Sequence, residues 1–221
     1  RSTMQAFEMG IDQPLDEAII IEDVQQDALM LLTTGGIDPS ACKALWAKLP
    51  EDLFVRFKPD LLAWCTANVL ESHKPCVAIR TLETERISEI FVHAVDYDGV
   101  FASVVATLDA MRCNVLAAKI ITSSDHFTWD VFQVIDANGG PLLSQDQDRL
   151  IKELLPKLQQ QQAPKLRQVR LPRRLREFLS PAKVKIEEQG EYSLMWLECT
   201  DRPGLLSLIA EVMLQQSVRI H

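Results

Sequence analysis

The sequence has no C-x-x-C pair, no histidine followed by aspartate and no Gly-Ser phosphate loop. The first two absences weigh against a zinc or other metal centre, and the third against nucleotidyl transfer by the chain itself. His73, His93, His126 and His221 stand far apart, at no ligand spacing, and are expected to be surface or packing residues. Cys42, Cys65, Cys76, Cys113 and Cys199 are odd in number and scattered, which suggests buried thiols in a reducing cytosol. No apolar run approaches the roughly 18 residues of a membrane span, and nothing near Arg1 has the basic-then-apolar order of a signal segment. A soluble cytoplasmic protein is expected. Cations are also in deficit: the net charge is −8 and the pI about 5.1, so nucleic acid and anionic membranes are excluded as main partners.

What is present is a repeat. Ile90 to Ala102 and Met195 to Ser207 each run as an apolar strand, an acidic turn closed by glycine, and a helix start. A shift of 105 positions pairs Asp96 with Asp201, Gly99 with Gly204, Val104 with Ile209, Leu108 with Met213 and Val115 with Ile220, without a gap. Such self-similarity indicates a duplicated supersecondary unit.

Ahead of the repeat, three helices are expected between Asp12 and about residue 72. The first carries Leu15, Ala18, Ile19, Ala28, Leu29 and Leu32 and stops at Gly35-Gly36. The second is capped by Asp38, opens on Pro39 and reaches Pro50; the third opens at Lys58-Pro59-Asp60 and buries Leu61, Leu62, Cys65, Val69 and Leu70. About 60 residues of helix enclose little core, so this segment must pack on something else. From Pro75 the pattern becomes strand, strand, helix, strand, strand, helix up to residue 158, with a hairpin across Glu83-Thr84-Glu85-Arg86. Alternation from Phe127 to Asp136 puts Phe127, Trp129, Val131, Gln133 and Ile135 on one strand face. The helix from Ser144 is expected to fray at Pro156, and Trp129, Trp196 and Met195 are assigned to the core. Residues 159–181 are a glutamine- and proline-rich basic connector. Val184 and Ile186 alternate with Lys183 and Lys185, which predicts a strand closing the first repeat's sheet. By the offset, His221 answers to Leu116, so the second repeat is cut short here, and its open sheet edges favour pairing into a dimer.

A strand followed by Asp201-Arg202-Pro203-Gly204-Leu205-Leu206 opening a helix resembles the ACT domain, a ferredoxin-like βαββαβ module that binds amino acids. With the helical lead-in, the two copies and the basic connector, the chain resembles the C-terminal part of the bacterial bifunctional uridylyltransferase and uridylyl-removing enzymes that modify PII signal proteins. The resemblance implies an α+β fold with residues 1–74 as a helical segment following an HD hydrolase domain and residues 75–158 plus 182–188 as a first ACT domain. Residues 159–181 would link it to the start of a second at 191–221. It also implies glutamine as effector, PII as partner through the parent enzyme, Mg²⁺ as the parent's cofactor, and no cofactor or catalytic residue within the segment. A stand-alone ACT regulator and the tail of another ACT-bearing enzyme, such as a guanosine tetraphosphate synthetase/hydrolase, are the competing readings.

The ligand contacts so implied are Asp201, Arg202, Gly204 and Leu205 in the second copy, Asp96, Gly99 and Val100 in the first, and Asn114 opposite the turn. Chemically, the turn presents backbone N–H groups at a helix N-terminus, which favour a carboxylate, and Gly204 admits a ligand without a Cβ in the way. Asp201 suits either a ligand ammonium or helix capping. In the first copy Tyr97-Asp98 replaces arginine and proline, which sets a negative charge where a carboxylate would go. Asp96-x-Asp98 has the spacing of a Mg²⁺ carboxylate pair, but the second copy keeps only Asp201.

Overall fold

The computed structural model describes residues 14–72, 74–164, 182–189, 192–200 and 204–220. Its helical lead-in contains four helices where three are expected: α1 (Pro14–Thr34), α2 (Pro39–Trp46), α3 (Glu51–Arg56) and α4 (Pro59–Glu71). Asp38 caps α2 through the Ser40 N–H. The extra element arises at Pro50, which lacks the N–H a continuing helix would use, so α2 ends at Trp46 and a six-residue helix restarts after the proline. Ala28, Leu32, Leu61, Leu62, Cys65 and Val69 are buried, whereas Ile19 and Leu70, assigned to the same stripes, face outward.

These helices pack on the domain that follows. Strands β1 (Cys76–Leu82), β2 (Ile87–His93), β3 (Asn114–Lys119) and β4 (Asp130–Ile135) form an antiparallel sheet in the order β1-β2-β4-β3. Phe91, Trp129 and Val131 on one face join the core of the helical lead-in. Ile90, Val92, Phe132 and Val134 on the other face pack against α5 (Val100–Ala110) and α6 (Ser144–Gln159). Side chains alternate across a pleated strand, so one central strand can serve two cores, and every residue of β2 is buried. Two polar residues of β2 are matched: Ser88 Oγ accepts from Leu142 N at 3.0 Å, and Glu89 takes Arg80 and Gln133. Within the helical core Trp46 Nε1–H donates to Thr66 Oγ1 at 2.9 Å. Thr66→Val keeps the volume and orphans this buried donor, so urea unfolding is expected to show a loss of ~1–3 kcal/mol; a loss under 0.5 would mean that the indole finds another partner.

Three expectations are corrected. The strand at β5 (Lys183–Gln189) does not close the first sheet; it pairs with β6 (Tyr192–Glu198) in a separate two-stranded sheet. β1 bonds the outer edge of β2 from Cys76↔His93 to Leu82↔Ile87, and β5 spends its own edge on β6 from Lys183↔Glu198 to Gln189↔Tyr192. Trp196 and Met195 are exposed, at 52% and 37%, because none of the described residues covers β6 as the lead-in helices cover β2. Finally, α6 runs through Pro156 to Gln159.

The duplication extends further than the sequence comparison. β6 and α7 (Leu205–Gln215) lie 105 residues after β2 and α5 (192 against 87, 205 against 100), and the β5–β6 hairpin repeats β1–β2. Gly99 and Gly204 both take positive φ, 102° and 76°, as N-caps. Past each helix a non-glycine residue adopts the left-handed region, Arg112 at 59° and Ser217 at 56°. The next amide then bonds back to the final turn, Cys113 N to Leu108 O at 3.0 Å and Val218 N to Met213 O at 2.9 Å.

Candidate functional site

The two repeats meet through α5 and α7, and they meet reciprocally. A Cβ on Gly204 would lie 3.2 Å from Asp109 Oδ2, and one on Gly99 would lie 3.3 Å from Leu214 Cδ2. Asp109 and Leu214 are themselves 105 residues apart, so each glycine turn faces the same position on the opposite helix, as a two-fold axis requires. The packing creates two related clefts. One, of about 960 Å³, lies between the Gly204 turn and the end of α5 with strand β3; Asp109, Asn114, Gly204 and Leu205 line it. The other, of about 190 Å³, lies between the Gly99 turn and the end of α7; Asp96, Gly99, Val100, Leu214 and Arg219 line it.

The sequence-derived ligand contacts thus divide between two places. Gly204, Leu205 and Asn114 come together in the large cleft, and Asp96, Gly99 and Val100 in the small one. Asp201 and Arg202 lie outside the described residues, as do His73, His221 and residues 165–181 of the basic connector. Asn114 opens β3 rather than ending the helix, which stops at Ala110. The resemblance did not include Asp109, ten residues along α5 from its own turn. Only the antiparallel packing of α5 on α7 carries it to the turn of the other repeat.

The clefts differ in charge. In the small one Arg219, which answers to Asn114, reaches across to Asp98 at 2.9 Å, and Leu214 faces the glycine. In the large one neither the Asp109 carboxylate nor the Asn114 amide has a hydrogen-bond or ion-pair partner among the described residues. Asp96 and Asp98 do not form a metal pair: Asp98 holds Arg219, while Asp96 Oδ2 accepts from Thr122 Oγ1 at 3.4 Å. Among the described residues no group of three or more His, Cys, Asp or Glu side chains could hold a metal ion. Cys113, at the edge of the large cleft, is pushed up to about 11 by burial and by the nearby Asp146 and Asp136, and so stays a thiol. Apolar Val105, Val115, Leu206 and Ile209 supply much of the remaining wall, with Arg112 and Asp136 as further charged groups at its border. A helix N-terminus, a carboxylate, an amide and an apolar lining suit a small zwitterion with a polar end.

The sheet order, the duplicated glycine turns and the clefts between them define the class: an α+β protein of ACT-like, ferredoxin-like repeats preceded by a helical layer. Residues 16–68 of that lead-in match the family described as "Uridylyltransferase GlnD fifth domain". The chain is 33% identical over 233 residues to a "Bifunctional uridylyltransferase/uridylyl-removing enzyme" of Ectopseudomonas mendocina, covering 99% of this chain and 26% of that relative. Relatives of the same name in Pseudomonas putida and Azotobacter vinelandii are each 33% identical over 226 residues, 96% of this chain and 25% of theirs. The chain therefore spans about a quarter of the length of the curated relatives it matches. The family match and the 33% identity over 96–99% of this chain support its reading as a C-terminal segment of the GlnD type. No described helix is long and apolar enough to cross a membrane.

Proposed function

We propose that this chain is the glutamine-sensing regulatory region of a cytoplasmic PII-protein uridylyltransferase/uridylyl-removing enzyme, with no catalytic residue of its own, and that glutamine binds in the larger cleft. The observation that carries the reading is the open cleft between the Gly204 turn and Asn114, whose smaller symmetry mate carries the Asp98–Arg219 pair instead. The glutamine carboxylate meets the amides at the start of α7, where the helix dipole favours it, and the side-chain amide meets Asn114. UTP, Mg²⁺ and both reactions belong to the rest of the parent enzyme, as does contact with PII. Glutamine acts on them by binding one arrangement of the repeats more tightly than another, a coupling of ~1–3 kcal/mol in typical cases. The edge strands provide for pairing into a dimer.

Calorimetric titration of the chain with glutamine, serine, threonine and leucine tests the assignment. Glutamine is expected to bind and the others to bind far less. Gly204→Val, which adds a Cβ at positive φ against Asp109, is expected to abolish binding while circular dichroism stays that of the folded protein. Preference for serine, threonine or leucine would favour a different ACT-bearing protein, and binding that survives Gly204→Val would remove the cleft from consideration.

A further inference from the structure

Asp109 has no role in the resemblance and no partner among the described residues, yet its carboxylate stands 3.2 Å from the position of a Gly204 Cβ, at the start of α7. We propose that Asp109 is the ammonium-binding residue of the large cleft and that it restricts the ligand to zwitterionic α-amino acids. The inference rests on the glutamine reading above and adds to it the residue that reads the α-ammonium.

Three observations support it. First, Asp109 is half-buried and belongs to the wall of a cleft large enough for an amino acid, beside Asn114 and the Gly204 turn. Second, among the described residues no side-chain hydrogen bond caps α7, Asp109 included, so Asp109 does not consume the N–H groups that a ligand carboxylate needs. An isolated anion entering there meets a fixed negative charge, whereas a zwitterion places its ammonium against Asp109 and its carboxylate on the helix end. Third, the symmetry mate provides an internal comparison. There the equivalent position is Leu214, which cannot accept a hydrogen bond, and the ion pair Asp98–Arg219 spans the cleft. The two clefts share the left-handed glycine turn facing a helix end, but only the large one is walled by β3 and the end of β4, and they differ in the groups that would read charge.

The probes are glutamine and N-acetylglutamine, which keeps the carboxylate and amide but has no ammonium. Titrated into the chain, glutamine is expected to bind about 10- to 100-fold more tightly than the acetylated form, the range of one hydrogen bond to a charged group. Asp109→Asn should weaken glutamine by a similar factor and bring the ratio of the two affinities close to one. Asp109→Glu, which keeps the charge, should preserve part of the ratio. A carboxylate that only complements the α7 dipole would change the thermal midpoint in Asp109→Asn and leave the ratio where it was; that outcome overturns the proposal. Equal binding of both probes by the wild-type chain overturns it as well. If Asp109→Asn does not fold, Asp109→Ser takes its place in the same comparison. The proposal and the reading beneath it fail differently. Absence of glutamine binding, or binding that survives Gly204→Val, sinks the cleft assignment. Binding that requires Gly204 but ignores residue 109 sinks only the role of Asp109.

Discussion

Arg80→Ala is expected to lower the stability of the protein by ~3–5 kcal/mol, the cost of leaving a buried charge without its partner. Glu89, in the central strand β2, is 3% exposed. Its carboxylate receives Arg80 Nε at 2.8 Å and Arg80 Nη2 at 2.6 Å, and Gln133 Nε2 at 2.9 Å completes its hydrogen bonding. Arg80 also reaches Asp60 of α4 at 3.0 Å, and its guanidinium lies 4.6 Å from the centre of the Trp64 ring. One side chain therefore neutralises a buried carboxylate and ties the sheet to the helical layer. Removing it strands Glu89, whereas removing both charges together does not. A denaturant series on Arg80→Ala, Glu89→Gln and the Arg80→Met/Glu89→Gln pair should show the double variant recovering most of the loss. A loss below about 1 kcal/mol in Arg80→Ala would mean that water reaches Glu89 and that the network carries little.

Acid is expected to destabilise the protein through His93, by up to about 3 kcal/mol between roughly pH 6.5 and pH 4. The imidazole is stacked between Phe91 and Phe127, at 6.2 and 5.2 Å between ring centres, with Trp129 edge-on at 5.5 Å. Thr128 O lies 2.8 Å from Nδ1, and since a carbonyl only accepts, Nδ1 carries the hydrogen. Nε2 is buried without a partner among the described residues. Burial therefore holds His93 at about 4, below its ordinary 6.5; Lys74 and Lys48 act in the same direction, while the Thr128 bond and Asp125 oppose. The unfolded chain takes up a proton near pH 6.5 and the folded one only near pH 4. Between those values the unfolded state holds more protons, so stability falls as pH falls. His93→Phe should keep the aromatic stack and lose this component, so the difference between wild type and variant, followed by thermal midpoint from pH 7.5 to 4, isolates it. Parallel curves would show that the imidazole is already reached by solvent.

Much of the architecture was legible because it rests on local chemistry. The Asp38-Pro39 start and the left-handed Gly36, Gly99 and Gly204 follow from capping and from glycine's freedom at positive φ. The face division around Trp129 and Phe132 follows from strand alternation. The misreadings concern competition between elements. Val184 and Ile186 have the pattern of a strand, but no pattern states which strand it will join, and β5 pairs with β6 rather than with the first sheet. Trp196 is as apolar as its counterpart Phe91, yet only Phe91 lies under the lead-in helices. Asp109 was missed for the same reason, since it becomes part of a cleft only through a helix from the other repeat.

By itself, then, the sequence determined the unit and its duplication: strand, glycine turn and helix recur at one offset, because cap geometry and periodicity are set by residues within a few positions of each other. The tertiary structure decided which faces those units present. It placed the lead-in helices on the Phe91 face of the sheet and brought α5 against α7, so that one glycine turn opens on Asp109 and Asn114 and the other on Leu214 and Arg219. The physical reason is that burial of apolar surface is non-directional. Many pairings would cover the same side chains, and shape, edge hydrogen bonds and charge across the whole chain select among them.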